Sequence, residues 1–130
     1  MISSLSSVRI SLILFYISFA LTSAGCTKNV KWVEFDTCVD LADYYYDENS
    51  VSHTSENIVQ VWTRFDFTHE EFPLKESRLL FEFDCTENTY RTIESTEVHR
   101  DSKTEHKGST KKRPVPPVSV YENLYFQVCK

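Results

Sequence analysis

The sequence predicts an α+β fold in which a C-terminal helix packs on one face of a β-sheet and is tethered to it by a disulfide. Short segments of alternating apolar and polar residues, typical of strands with one buried face, run from residue 30 to residue 98. The end of the chain, residues 119–130, has a helical pattern instead. Each of these two regions contains a cysteine, Cys85 and Cys129, so the two can be joined covalently.

Three strands are predicted before residue 70. Val30–Phe35 alternates around a tryptophan, and Asp43–Asp47 is a tyrosine-rich strand that ends at a turn-forming segment, residues 47–50. Ile58–Phe67 is the longest of the three and has large side chains on both faces. One face carries Val59, Val61, Thr63, Phe65 and Phe67, and the other carries Ile58, Gln60, Trp62, Arg64 and Asp66. This pattern is typical of a central strand with partial cover on each side.

Two further strands, Ser77–Cys85 and Thr89–Val98, are predicted to be joined by a turn at Glu87 and Asn88. The first of them has an apolar face, which consists of Leu79, Phe81, Phe83 and Cys85. The second is polar. Residues 101–113 have almost no apolar content and are predicted to form a mobile loop or a frayed hairpin end.

A helix is predicted from Ser119 to the end of the chain. Ser119 and Glu122 have the S-x-x-E spacing of a capping box, in which each side chain accepts a hydrogen bond from a free backbone N–H group at the helix start. Val120, Leu124 and Val128 recur every four residues and form an apolar face. The prolines that precede this segment prevent the helix from starting earlier.

The four cysteines, Cys26, Cys38, Cys85 and Cys129, allow three pairings. A bond between Cys85 and Cys129 would hold the predicted helix against the apolar face of the predicted strand. In an oxidising compartment Cys26 then pairs with Cys38, unless Cys26 is lipidated, in which case Cys38 stays single. The sequence is compatible with both alternatives.

Residues 1–25 are predicted to be a secretory signal peptide. They contain one basic residue, Arg9, and no acidic residue. An apolar run from Ile10 to Leu21 then leads to four small residues, as in signal peptides. The run is shorter than the roughly 20 residues of a membrane-spanning helix. We therefore expect an exported protein.

The end of the signal peptide allows two forms of the mature protein, whose single domain we expect to span residues 26–130. The segment from Ser23 to Cys26 resembles the lipobox of bacterial lipoproteins, although Ser23 stands where leucine is usual. Lipidation of Cys26 would anchor the protein to the outer membrane. Ordinary cleavage after Ala20 or Ala24 would instead leave Cys26 as a plain thiol.

Composition and motifs argue against several functions. The formal net charge of −5 does not favour nucleic acid as a partner. Gly108 is the one glycine after the predicted signal peptide, which excludes a glycine-rich phosphate loop. The four histidines do not have the spacing of a metal site, and no nucleophile or acid–base motif occurs. The sequence therefore predicts a protein that is not an enzyme and has no cofactor.

A series of short motifs extends over nearly all of the predicted mature chain. In order, they are Trp32-Val33, Tyr45-Tyr46-Asp47, Val61-Trp62-Thr63, Phe83-Asp84-Cys85, Tyr90-Arg91 and the ending from Ser119 to Lys130. Together they resemble the surface-adhesin protein E family of exported Gram-negative proteins. The resemblance implies an antiparallel sheet with a C-terminal helix that a disulfide between Cys85 and Cys129 tethers to it. It also implies adhesion to a host or matrix macromolecule.

We therefore expect an exported binding module, anchored at the outer membrane and facing the cell surface, that recognises a macromolecular ligand. The alternative is a periplasmic structural or envelope-associated lipoprotein with no extracellular ligand. A host or matrix protein, or a polyanion, is the expected partner. The candidate ligand contacts are the cationic residues of the segment 101–113, namely Lys103, Lys107, Lys111, Lys112 and Arg113.

Overall fold

The computed structural model describes residues 29–38 and 41–130. Two sequence predictions, the signal peptide over residues 1–25 and the lipidation or disulfide of Cys26, lie outside the described residues. Within the described part, no helix is long and apolar enough to cross a membrane.

The described chain forms one antiparallel sheet of eight strands followed by one α-helix. The strands are β1 Trp32–Cys38, β2 Ala42–Asp47, β3 Ser52–Ser55, β4 Ile58–Phe67, β5 Leu74–Asp84, β6 Thr89–His99, β7 Lys103–Lys107 and β8 Arg113–Pro114. The order across the sheet is β1-β2-β4-β5-β6-β7, while β3 pairs with the start of β4 and β8 with the start of β6. A short 3-10 turn, Glu48–Ser50, separates β2 from β3. The predicted fold class is confirmed.

The helix, α1, spans Val120–Val128 and packs on the sheet through Leu124 and Val128. The Ser119 hydroxyl accepts a hydrogen bond from the backbone N–H of Glu122 at 3.2 Å. The Glu122 carboxylate accepts one, also at 3.2 Å, from the N–H of the residue before Ser119. In a capping box the donor to Glu122 would be the N–H of Ser119 itself, whereas here it is the N–H of the preceding residue. Both side chains still stabilise the helix start.

The hydrophobic core lies between α1 and one face of the sheet. It consists of Tyr46, Val59, Val61, Phe65, Phe81, Phe83, Leu124 and Val128. Phe81 and Phe83 are almost fully buried and come from the apolar face predicted for β5. Burial of a side chain of this size contributes about 1.5–3 kcal/mol relative to its exposure, so these two residues are major contributors to the stability of the sheet–helix contact.

The predicted disulfide between Cys85 and Cys129 is present and joins two Cα atoms that lie 5.5 Å apart. Cys85 directly follows β5, and Cys129 directly follows α1. The hydroxyl of Tyr125 donates a hydrogen bond to the carbonyl of Cys85 at 2.8 Å. The end of the helix is therefore fixed to the sheet both covalently and by a hydrogen bond. Cys38 has no disulfide partner among the described residues.

The segment predicted as a loop or frayed hairpin end is held to the sheet at both ends. β7 pairs with β6, and β8 pairs Arg113 with Tyr90. Between them, the N–H of Gly108 donates a hydrogen bond to the carbonyl of Ile93 at 2.8 Å. The sequence did not indicate β7 because all five of its residues are exposed, and an exposed strand does not show the alternating apolar pattern.

The sheet face opposite α1 carries no helix of the described chain and is only partly covered. The sequence predicted partial cover on both sides of β4. The structure confirms the buried side, where Val59, Val61, Thr63 and Phe65 face the core. The other side, which carries Trp62 and Arg64, is half-buried, as the prediction of partial cover requires, because the one helix of the described part packs on the core side.

Candidate functional site

The sheet face opposite α1 holds a shallow groove of about 1000 Å³, which we call the open-face groove. Its floor comes from adjacent strands, because Trp62 on β4 lies opposite Leu80 on β5, and Arg78 on β5 lies opposite Thr96 on β6. Its rim includes Asn29, Val30, Trp32 and residues 49–52. The groove thus combines aromatic, aliphatic, cationic and hydroxyl groups.

A stack of two aromatic rings around one guanidinium group lies on the same sheet face. The guanidinium carbon of Arg64 lies 4.8 Å from the ring centroid of Trp32 and 4.8 Å from that of Tyr45. Tyr45 is directly opposite Arg64 in the pairing of β2 with β4. A guanidinium nitrogen of Arg64 also lies 3.1 Å from a carboxylate oxygen of Asp66. Since each cation–π contact contributes about 0.5–2 kcal/mol, the stack holds the two rings in fixed positions.

The groove rim is fixed at the point where β2 ends and β3 begins. The backbone N–H of Trp62 has no strand partner there and donates to the hydroxyl of Ser50 at 2.9 Å. That hydroxyl donates in turn to the carbonyl of Asp47 at 2.7 Å. The Asp47 carboxylate accepts from the backbone N–H groups of Lys31 and Asn49. These bonds hold the 3-10 turn and the start of β1 beside Trp62.

Three adjacent strands are linked on this face by a polar network around Glu82. The Glu82 carboxylate accepts hydrogen bonds from Gln60 on β4 and from Arg91 on β6, each at 2.8 Å. Burial acts to raise the pKa of Glu82, but the hydrogen bonds from Arg91 and Gln60 outweigh it, so the pKa lies below its ordinary value. Glu82 is therefore ionised at neutral pH and stabilises the groove floor.

Replacing Glu82 with glutamine is expected to destabilise the protein most near neutral pH, by about 1–3 kcal/mol, because Arg91 loses its charged partner. A carboxylate whose folded pKa is lowered contributes stability above its ordinary pKa, here 4.5, and loses it as the pH falls through the folded value. Thermal unfolding of both proteins across the acidic range measures the effect. The difference between Glu82→Gln and wild type should shrink below pH 4.5, and a difference independent of pH would contradict the role of the charge.

The five predicted ligand contacts lie in three different places. Lys103 lines the open-face groove, and Lys107 projects from the same side of β7. Lys112 lies 3.5 Å from the carboxylate of Asp84. The remaining two, Lys111 and Arg113, line a separate cavity of about 200 Å³ on the core side of the sheet. Residues that are close in sequence therefore do not form one basic surface.

The sequence did not identify the open-face groove as a site. Trp62 was assigned to the second face of β4, and the partial cover expected there is present, but the sequence did not indicate a groove on it. The stack around Arg64 was not predicted because Trp32, Tyr45 and Arg64 belong to three different strands. The signal that the sequence offered was Trp62, a large aromatic residue on the second face of a central strand.

The described part of the chain contains no group of three histidine, cysteine, aspartate or glutamate residues that could hold a metal ion. His99 and His106 do approach a common carboxylate, with nitrogens 3.4 Å and 3.7 Å from an oxygen of Glu97. Both are side chains of exposed or half-exposed strand positions.

The fold and the groove define the class of protein, a disulfide-linked α+β domain with one open sheet face. The family model described as surface-adhesin protein E matches residues 32–130, and the chain belongs to this family. The resemblance derived from its sequence motifs is thus confirmed.

A solved structure, crystal form II of Haemophilus influenzae protein E, has the same fold. The two chains are 13% identical, the TM-score is 0.54, and the match covers 78% of this chain and 91% of that chain. At this level of identity the similarity shows the fold alone. The comparison with curated proteins gives no match.

Proposed function

We propose that this protein is an exported adhesin-like binding protein, anchored at the outer membrane, which recognises a macromolecular ligand through its open-face groove. The observation that carries the proposal is the groove itself, an accessible concave surface on a rigid sheet in a member of the surface-adhesin protein E family. The proposed activity is binding without catalysis.

The composition of the groove favours a macromolecule over a small ligand. Small-molecule sites enclose most of the ligand surface, whereas this groove is shallow and open along the sheet. Tryptophan and arginine, which line the groove as Trp32, Trp62 and Arg78, are among the residues that most often dominate binding energy in protein interfaces. Because the contact with Arg64 already orders the Trp32 ring, less conformational entropy is lost on binding.

Export and anchoring are supported by separate features. The Cys85–Cys129 disulfide is of the kind that persists in oxidising compartments, which agrees with the signal-peptide pattern over residues 1–25. The small residues before Cys26 support a lipid anchor at that position. Protease treatment of intact cells distinguishes a surface location from the periplasmic alternative, and the intact mass of the mature protein distinguishes lipidation from ordinary cleavage.

Replacing Trp62 with alanine is expected to weaken ligand binding by roughly thirtyfold, which corresponds to about 2 kcal/mol for the loss of a central aromatic contact. Binding of the mature protein to immobilised collagen, laminin and fibronectin measures the effect. The matched control is Phe126→Ala, because Phe126 is an aromatic residue that is 59% exposed on α1, on the opposite side of the sheet.

The two variants separate a sheet-face site from other modes of adhesion. We expect Phe126→Ala to bind as the wild type does. Equal binding by the Trp62→Ala and wild-type proteins would contradict the groove as the site. Absence of wild-type binding to all three matrix proteins, together with protection from protease on intact cells, would contradict the adhesin function.

A further inference from the structure

We propose that the smaller cavity, on the core side of the sheet, binds a sulfate or phosphate ester carried on a sugar ring. This cavity of about 200 Å³ lies where β6, the start of α1 and the segment 108–113 meet. It has no lining residue in common with the open-face groove. The inference is therefore independent of the macromolecular ligand proposed above.

The charged residues of the cavity lining are all cationic, in a chain whose net charge is −5. They are Arg91, Lys111 and Arg113. The guanidinium group of Arg91 is bonded to Glu82 on the opposite face of the sheet, so it is not counted as a ligand contact here. Lys111 and Arg113 form no ion pair within the described residues. Two cations without carboxylate partners beside one small cavity favour an anionic ligand.

Hydroxyl groups in the same cavity lining supply further hydrogen-bond donors. Ser109, Tyr90 and Tyr121 line the same cavity. Burial raises the pKa of Tyr90, and the neighbouring Tyr121 adds to this effect, so the Tyr90 hydroxyl stays protonated and can donate at neutral pH. The positive charge of Arg113 acts in the opposite direction on the same pKa. An oxyanion, with several acceptor oxygens, fits this set of donors.

An aromatic surface next to the donors is the reason for proposing that the ester is carried on a sugar ring. The rings of Tyr90 and Tyr121 are stacked, with centroids 4.9 Å apart and planes inclined by 20°. Phe81 contacts both of them edge to face. The volume of about 200 Å³ corresponds to several water molecules, which is more than a bare oxyanion occupies. The C–H groups of a sugar ring can pack against the aromatic surface while its ester group meets Lys111 and Arg113.

Residues 108–113, which we call the cationic segment, are held in place before any ligand binds. At one end, the N–H of Gly108 is bonded to β6 through the carbonyl of Ile93. At the other end, Arg113 lies opposite Tyr90 in the pairing of β8 with β6. The backbone N–H of Val115 then donates to the carbonyl of Asn88, in the turn between β5 and β6. Since the backbone is fixed on both sides, binding orders few additional groups.

The sulfate and phosphate esters of N-acetylglucosamine test this inference, with unmodified N-acetylglucosamine and inorganic sulfate as reference ligands. Titration calorimetry of the mature protein should detect at least one ester and weaker binding of both references. The relative affinity of the two esters tells whether sulfate or phosphate is preferred. The double variant Lys111→Gln/Arg113→Gln should weaken ester binding by at least about thirtyfold, because two charge-assisted hydrogen bonds are lost.

The matched control is Lys103→Gln/Lys107→Gln, which changes the net charge equally but alters residues outside the cavity. It should bind the esters as the wild type does. Tyr121→Phe keeps the stacked ring and removes one donor, so it should weaken binding by roughly fivefold. Equal weakening in the two double variants would show a general attraction between charges and overturn the inference, as would failure of both esters to bind.

Discussion

Replacing Cys129 with serine is expected to lower the free energy of unfolding by about 4 kcal/mol. The Cys85–Cys129 disulfide joins residues separated by 44 positions, and opening so long a loop returns a large conformational entropy to the unfolded chain. The bond also supplies the covalent link between α1 and the sheet. Denaturant unfolding of the mature protein measures the change. The dependence of the unfolding free energy on denaturant concentration must be compared as well, because loss of the disulfide makes the unfolded chain less compact.

The helix should be the first element to loosen in this variant. A nine-residue helix is marginally stable by itself, and α1 would then depend on the burial of Leu124 and Val128. Amide hydrogen exchange should therefore accelerate in α1 more than in β4 and β5. Lys130→Ser, which alters the neighbouring exposed residue, is the control. A Cys129→Ser protein as stable as this control would contradict a structural role for the disulfide.

Replacing Gly108 with alanine is expected to lower the free energy of unfolding by about 1–3 kcal/mol. A Cβ atom at this position would lie 1.7 Å from the carbonyl oxygen of Thr92 and 2.4 Å from the carbonyl carbon and oxygen of Ile93. These are backbone atoms of β6 and cannot rotate away as a flexible side chain could, so the two segments must separate. Close approach of backbones, and not a positive φ angle, requires glycine here.

Thermal unfolding and amide exchange in β7 measure this effect, and Thr110→Ala, at an exposed position outside the cavity lining, is the matched control. Because Gly108 fixes one end of the cationic segment, Gly108→Ala should also weaken binding of the sugar esters. An unchanged stability would mean that β6 and the segment after β7 can separate without cost, and that the cationic segment is not held in place.

The helix and its disulfide could be predicted because their signals are local. The spacing of Ser119 and Glu122 and the apolar face of α1 need no knowledge of distant residues. β4 was predicted with its observed bounds, Ile58–Phe67, since its buried face alternates strictly. β7 could not be predicted, because it is stabilised by pairing with β6 and not by burial of its own side chains.

The candidate sites depended more strongly on the tertiary structure. The five cationic residues between 101 and 113 form a single group in the sequence, but the strand β7 and the turn at Gly108 direct them to different surfaces. Conversely, the stack of Trp32, Arg64 and Tyr45 joins positions that only the pairing of β1, β2 and β4 brings together. Sequence proximity was therefore a poor guide to both sites.

The two outer edges of the sheet affect how the protein behaves at high concentration. β7 is a short edge strand in which Lys103, Glu105 and Lys107 alternate along an exposed edge. At the other edge, the pairing of β1 with β2 is interrupted between Glu34 and Asp36. Charged and irregular edges disfavour addition of a strand from another molecule, which is the first step of amyloid-like aggregation. Crowded copies of this protein should therefore not join edge to edge into a continuous sheet.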